Sequence, residues 1–314
     1  MAELIVYDRQ PLPMAINSLK LTTLADNFVY QAGLHGQWGL SYLLELEDSR
    51  GQQRKVLLDT GNDRDPLLHN IKELKVDLGD LDAVVLSHGH GDHTVATVDV
   101  MEMCGGCPVY AHPHCFKPRA NVDRAGKRTR SGVPEGQGVA EIEAAGGDAR
   151  LSTRPVQIVP GLWTTGEVLR TSFEDVPAPS EGARRLVEVD GAWVDDKILC
   201  DLALWADVEG LGPWVITGCA HSGLVNTLHH VQGLGGFKDI YALIGGTHLV
   251  RRPDEYIGRT ADALEGFGLR LISPSHCTGF RAAATLWSRF RDQFILNYCG
   301  RTIKSGERPR NPVL

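Results

Sequence analysis

The sequence predicts an α/β fold built in layers, and three observations predict it. Short apolar runs that read as strands alternate with segments whose apolar residues recur at helical spacing. The runs stop abruptly at glycine, aspartate or proline. Three of the later strands end in a turn bearing a histidine, His221, His248 or His276, and strand-end loops are where α/β folds place their chemistry.

INSLKLTTLAD and WGLSYLLELED carry the first two strands. GQQRKVLLDTG is a turn, a buried strand and a stop at Asp59-Thr60-Gly61. Leu67, Leu68, Ile71 and Leu74 share helical spacing and predict a helix, with Asp65 as its cap. LDAVVLS is a short strand that delivers the chain into LSHGHGDHT. HTVATVDVMEMCG reads as one helix closed by glycine, and CPVYAHP as the next strand. From Pro113 to Arg150 the pattern dissolves into Gly, Arg and Lys, and only GVAEIEAAGG reads as a short helix. That stretch, about 113–150, is predicted to be a flap or insertion. Strands resume with RPVQIVPGLWTTG, followed by a polar loop, EDVPAPSEGARR. Then come strands in DKILCDLALWAD and PWVITGCAH, a helix through LVNTLHHVQGL, and a strand in IYALIGGTHL. A helix around RTADALEGFG, a strand in RLISPSHCTG and a last helix, RAAATLWSRFRDQF, complete the pattern. No linker interrupts it, so 1–314 reads as a single domain.

With 314 residues, 42% hydrophobic and 23% charged, the chain can bury a sizeable core without covalent staples. A net charge of -7 argues against a nucleic-acid partner, and no apolar run is long enough to span a membrane. MAELIVYDRQ sets acids and an arginine around a very short apolar stretch, unlike a signal peptide. The seven cysteines are therefore expected to be reduced thiols in a cytoplasm.

The densest chemistry lies in LSHGHGDHT, residues 86–94. His88, His90 and His93 each offer an imidazole nitrogen and Asp92 a hard oxygen. Gly89 and Gly91 are expected to let the backbone turn sharply, so that these side chains converge. A divalent metal suits that set: zinc, with iron or manganese as alternatives. Zinc with an open position acidifies bound water to a pKa of about 7, which makes a hydrolytic site.

These residues are similar to a known family. SHGHGDH matches the H-x-H-x-D-H signature of the metallo-β-lactamase-fold hydrolases, and VLLDTG resembles their first motif. TGCAHSGLVN, IGGTHL and SPSHCTG resemble one branch, the metal-dependent hydrolases that include a dihydropterin-ribofuranosylaminobenzene-phosphate synthase. The resemblance covers nearly the whole chain. It implies an αββα sandwich, two mixed β-sheets face to face with helices outside, and metals at one sheet edge. It also implies one or two ions per chain, His88 and His90 on the first, and Asp92, His93 and His276 on the second. Two positions depart from the family pattern. Where relatives carry a strand-end histidine, this chain has TTGEV with Glu167, and His221 is the expected third ligand of the first metal. Where relatives carry a bridging aspartate, it has Cys219, which either bridges or lines the site. Asp59 is expected to hold a ligating histidine by its other ring nitrogen.

Other residues were weighed beside these. Cys104, Cys107, His112, His114 and Cys115 form a second metal-like constellation, but a lone C-x-x-C without a second pair reads as an ordinary packed turn. His112 is expected at the pocket mouth. His248 is a candidate for holding a ligand in place, touching substrate or sitting in the core. His229 and His230 read as surface and packing residues, and His35 as a weaker pocket candidate. Lys117, Arg119, Arg124, Lys127, Arg128 and Arg130 face a single acid, Asp123. They read as a solvated loop that buries little or as a flap closing on an anionic substrate, with Arg128 and Arg130 as its contacts. Trp38, Trp163 and Trp205 are candidates for pocket or core.

The leading expectation is a metal-dependent hydrolase of an ester, phosphoester or related small-molecule substrate, an anionic one if the basic segment is a flap. A metal-activated water is the nucleophile and Asp92 its orienting residue. The alternatives are a non-haem iron enzyme acting on oxygen or sulfur species, and a non-catalytic small-ligand sensor.

Overall fold

Strand alternation decides the architecture. In the computed structural model, which describes residues 14–176 and 182–307, the chain opens with β1 (Ser18–Ala25), β2 (Ser41–Glu47) and β3 (Gln53–Leu58), an antiparallel meander. MAELIVYDRQ and part of EDVPAPSEGARR lie outside the described residues. α1 (Arg64–Glu73) crosses to β4 (Ala83–Val85), parallel to β3. α2 (Gly91–Thr94) and α3 (Thr97–Cys104) lead to β5 (Pro108–Ala111), parallel to β4. β6 (Arg119–Val122) and β7 (Arg128–Ser131) follow, then α4 (Val139–Ala144) and β8 (Asp148–Leu151), parallel to β5.

β9 (Gln157–Val159) and β10 (Leu162–Thr164) begin the second half, and β11 (Arg184–Val189) and β12 (Ala192–Asp195) form a hairpin. The chain continues through β13 (Ala203–Val208), β14 (Gly212–Thr217), α5 (Leu224–Gly235), β15 (Ala242–Gly246), α6 (Asp254–Leu264) and β16 (Leu271–Ser275). α7 (Gly279–Arg289) and β17 (Thr302–Lys304) end it.

Two mixed sheets result, ordered β17-β1-β2-β3-β4-β5-β8 and β16-β15-β14-β13-β10-β9. Tyr42, Leu44, Leu46, Val56 and Leu58 of the first pack with Leu204, Trp214, Ile216 and Ile244 of the second in one buried core. Leu43 and Leu57, one residue out of step, point the other way and pack with Leu67, Ile71, Val100 and Ile142 of the outer helices. Val215, Leu243 and Ile272 do the same on the far side, under α5, α6 and α7. Both faces of the central strands are buried, hence their continuous apolar runs. The order of layers is helices, sheet, sheet, helices, the αββα sandwich that the family resemblance implied. No helix among the described residues is long and apolar enough to cross a membrane.

Three local expectations are corrected. The cap of α1 is Asp63, whose carboxylate accepts from the Asp65 N–H, so Asp65 is the first-turn acid instead. HTVATVDVMEMCG is two helices, α2 and α3, broken at Val95-Ala96. The stretch 113–150 holds three strands besides the one short helix that the sequence shows. β6 and β7 join β11 and β12 in a third, antiparallel sheet ordered β12-β11-β6-β7, while α4 and β8 complete the first sheet.

Candidate metal centre

The parallel strands β3 and β4 of one sheet and β14, β15 and β16 of the other end at the same place. Asp59 follows β3, the His88–His93 loop follows β4, Cys219 and His221 follow β14, His248 follows β15, and His276 follows β16. Among the described residues, four of the seven non-glycine positions with positive φ are here: Asp59 (61°), Ala220 (55°), His248 (52°) and His276 (49°). Backbone strain therefore concentrates where the two sheets present these side chains.

The donors fall into overlapping groups whose ligating atoms lie within 4.8 Å of one another: His88, His90 and His221; His88, His93 and Cys219; Asp92, His93 and His276. Cys219 also groups with His221 and His248, and with His276 and Cys277. His88 Nε2 is 3.0 Å from His90 Nδ1, and the His221 ring is 4.7 Å from each of theirs, centre to centre. Cys219 Sγ is 3.2 Å from His93 Nε2. Asp92 Oδ2 is 3.4 Å from His276 Nε2 and 3.8 Å from His93 Nε2.

Partners behind the rings fix their orientation. His93 Nδ1 donates to Asp59 Oδ2 at 2.6 Å, which turns Nε2 towards Cys219 and Asp92. Asp59 also accepts from the Ser87 N–H at 2.7 Å and the Ser87 hydroxyl at 2.6 Å. His88 Nδ1 lies 3.0 Å from Ser87 Oγ. His276 Nδ1 lies 3.0 Å from Asn27 Oδ1, and the His276 N–H donates to Asp26 Oδ2 at 3.0 Å.

Burial and neighbouring histidines push His88 and His221 well below the usual imidazole range, and burial brings His90 down to about 3. These rings are neutral and keep a lone pair to donate. Burial opposes charge on His93, but Asp59 and Asp92 outweigh it and lift the ring to about 9. Burial likewise opposes ionisation of Asp92, yet His93 and His276 hold its carboxyl far below the usual range. Both ring nitrogens of buried His221, His276 Nε2 and His248 Nδ1 have no hydrogen-bond partner. Each such group costs about 1–3 kcal/mol when left unmade. A cation on the imidazole and carboxylate lone pairs is the complement this set lacks, so the residues present fit a metal.

A cavity of about 390 Å³ opens over the centre. His90, Asp92, Cys219, His221, His248 and Cys277 form its floor, and Trp38, half exposed, stands at one side with its ring 5.3 Å from that of His276. The third sheet contributes Asn121, Ser131 and Arg185, and the segment after His248 contributes Val250, Arg251 and Arg252.

Several sequence-stated residues stand elsewhere. Arg128 and Arg130 do not line the cavity: Arg128 stacks over Trp193 at 3.4 Å and Arg130 pairs with Glu135 at 3.1 Å. Arg119 buries completely, pairing with Asp196 at 2.8 Å and donating to the Cys115 carbonyl at 2.9 Å, contrary to a solvated loop. His112 is buried 3.5 Å from Glu167, and neither residue lines the cavity or joins the donor groups. Trp163 and Trp205 stack at 6.1 Å in the outer core, and His35 stacks on His69 at 3.9 Å. His229 is exposed, and His230 is buried with Nε2 3.2 Å from the Thr165 carbonyl. Gly89 and Gly91 have no positive φ; Gly89 is needed for space, since a Cβ there would sit 2.0 Å from the Cys115 carbonyl oxygen.

Sequence reasoning missed Cys277, Arg185, Arg251 and Arg252. Cys277 follows His276 directly, and RR stands three residues past His248, so a strand-end reading extended by a few residues finds three of the four. Arg185 carries no local signal, because its strand reaches the cavity only through its pairing with β6.

A family model described as a β-lactamase superfamily domain matches residues 54–189. The 7,8-dihydropterin-6-methyl-4-(β-D-ribofuranosyl)-aminobenzene-5′-phosphate synthase of Methanocaldococcus jannaschii is 32% identical over 294 residues, covering 92% of this chain and 97% of its own. A solved metal-dependent hydrolase of the β-lactamase superfamily superposes with a TM-score of 0.74 at 22% identity, over 91% of this chain and 98% of its own. The metallo-β-lactamase fold protein YhfI of Bacillus subtilis does so with 0.52 at 13% identity, over 92% and 100%. The histidine motif, the strand-end donors and a relative matched along almost its full length agree: this chain belongs to the metallo-β-lactamase superfamily, in the branch of the dihydropterin-ribofuranosylaminobenzene-phosphate synthase-like proteins.

Proposed function

We propose that the protein is a metal-dependent hydrolase of a small phosphorylated or otherwise anionic substrate, with zinc as the resident metal. The carrying observation is the pair of buried donor groups under a cavity walled by Arg185, Arg251 and Arg252. His88, His90 and His221 would hold one ion, and Asp92, His93 and His276 a second, with the Cys219 thiol as a further donor to either group. The mixed imidazole and thiol donors favour zinc over magnesium or calcium. When bound, the metal supplies Lewis acidity and an activated water.

The chain's own residues do the rest. Asp59 keeps His93 in one tautomer. Asp92 orients the attacking water through its free carboxylate oxygen. Arg185 and Arg251 place the anionic end of the substrate, and Arg252, pinned by Asp175 at 2.9 Å and packed over Tyr256, stiffens that wall. Trp38 offers a flat face to a ring. The test is a panel of phosphomonoesters, diesters and lactones assayed with the zinc-reconstituted protein and with His88→Ala. Metal-dependent turnover of at least one anionic substrate, lost in the variant, is expected; turnover by the metal-stripped protein or the variant equal to that of the zinc-reconstituted protein would overturn the reading.

A second reading follows from the relative's name. That synthase is 32% identical along nearly the whole chain, so the same cavity suits group transfer to an aromatic amine bearing a phosphorylated sugar. Product analysis with and without an aromatic amine separates transfer from hydrolysis.

A further inference from the structure

One motif takes no part in the metal centre. Cys104 ends α3 and Cys107 precedes β5, at the opposite edge of the first sheet from the metal-bearing strand ends. We propose that Cys104 and Cys107 form a reversible thiol–disulfide pair, with Cys104 as the attacking sulfur and Cys107 as the resolving one.

The geometry comes first. The two sulfurs lie 3.7 Å apart. Gly105 closes α3 in the left-handed region (φ 72°) and Gly106 continues the reversal (φ 91°), which brings residues three apart onto one side. The turn is held by backbone rather than by sulfur. The Gly106 N–H donates to the Met101 carbonyl at 3.0 Å, the Asp148 N–H to the Cys107 carbonyl at 3.2 Å, and Gly106 packs so tightly on Gly146 that a Cβ would meet its carbonyl oxygen at 2.2 Å. A short loop held this way presents both sulfurs with little movement needed to join them.

Accessibility and acidity then assign the roles. Cys104 is the one cysteine of the seven that is not buried. The Cys107 thiol hydrogen-bonds to it and lowers it to about 7, while Cys107 is pushed up by that same bond and by burial. A half-buried, acidic thiol beside a buried, less acidic one is the arrangement that reacts in sequence. A structural metal is the rival use of C-x-x-C, but no third ligand converges on this pair among the described residues.

The oxidant is a low-molecular-weight disulfide. The Cys104 thiolate attacks one of its sulfurs, forming a mixed disulfide and releasing one thiolate. Cys107, losing its proton, then attacks Cys104 Sγ, forming the internal disulfide and releasing the second thiolate. Two protein thiols are oxidised, and one external disulfide is reduced to two thiols.

The test equilibrates the metal-loaded protein in glutathione buffers from fully reduced to fully oxidised, then maps thiols by peptide mass spectrometry. The peptide spanning Cys104 and Cys107 should lose two hydrogens across the series and regain them on reduction, with Cys219 and Cys277 unchanged. Cys107→Ser should stop with one glutathionyl group on Cys104. A wild-type peptide that stays dithiol in the oxidised buffer overturns the proposal. So does one that accumulates the glutathionyl adduct at Cys104 as the variant does; both readings come from the wild-type protein and do not depend on how well the variant folds.

Discussion

Asp59 touches no substrate-facing space, yet it sets the chemistry of the residue in front of it. One oxygen takes the Ser87 N–H and the other takes both the Ser87 hydroxyl and His93 Nδ1. Asp59→Asn would turn a donor towards the donor it now accepts from, favouring the wrong tautomer of His93. Metal affinity should fall about 10- to 100-fold, measured by competition with a chromophoric chelator; an unchanged affinity would show that His93 is not a ligand. Cys219 is the other decisive residue, because its sulfur belongs to three of the donor groups. Cys219→Ala should lose one equivalent of metal while His88, His90 and His221 retain theirs, checked by elemental analysis after dialysis. If both equivalents remain, the thiol only lines the cavity. At this scale the sequence was most informative about the His88–His93 loop, since its ligands are neighbours in the chain. It was least informative about Arg185 and the neighbours of Cys219, which meet only after folding.

The small third sheet is the element whose role differs most from its sequence reading. β6 and β7 are four residues long and mostly polar, and they join the sheet only because β6 pairs with β11, about sixty residues further on, so no periodicity announces them. Arg119 is their anchor. Its guanidinium reaches Asp196 and the carbonyls of His114 and Cys115, beneath the same loop that carries Gly89. Arg119→Ala would strand a buried Asp196 and should cost about 3–5 kcal/mol. Arg128→Ala, which removes an exposed cation–aromatic contact, should cost about 0.5–1 kcal/mol. Paired urea melts check both; equal losses would mean that burial does not separate these two arginines. Arg185→Ala should leave the melt near wild type and raise KM for a phosphorylated substrate without a matching fall in kcat. Unchanged KM across anionic substrates would remove the cation wall from the mechanism.

The two sheets share one core, and the donor groups draw on both: His88, His90 and His93 from the first, Cys219, His221 and His276 from the second. A bound ion is thus a cross-link between layers. A free-metal concentration a thousandfold above Kd stabilises by about 4 kcal/mol. Chelation should therefore lower Tm by several degrees, reversibly on adding zinc, as followed by calorimetry; a melt indifferent to metal would place the ions outside the folded site. The layers were legible through the family resemblance rather than through these strands, whose two faces are both apolar; in the fold, Leu43 and Leu57 fall one step out of phase with Tyr42, Leu44, Val56 and Leu58, and alternation sorts them to opposite faces. Which strands become neighbours was not legible, since pairing order follows from long-range closure rather than local pattern. β17 shows what that closure means in time. It lies against β1, with Lys304 opposite Lys20, so β1 takes its outer neighbour from a strand made long after it. As the polypeptide leaves a ribosome, the rim of β1 stays unpartnered until β17 has been made, and His276 arrives only a little earlier. Until then the nascent molecule is open along one side, its first sheet waiting for β17.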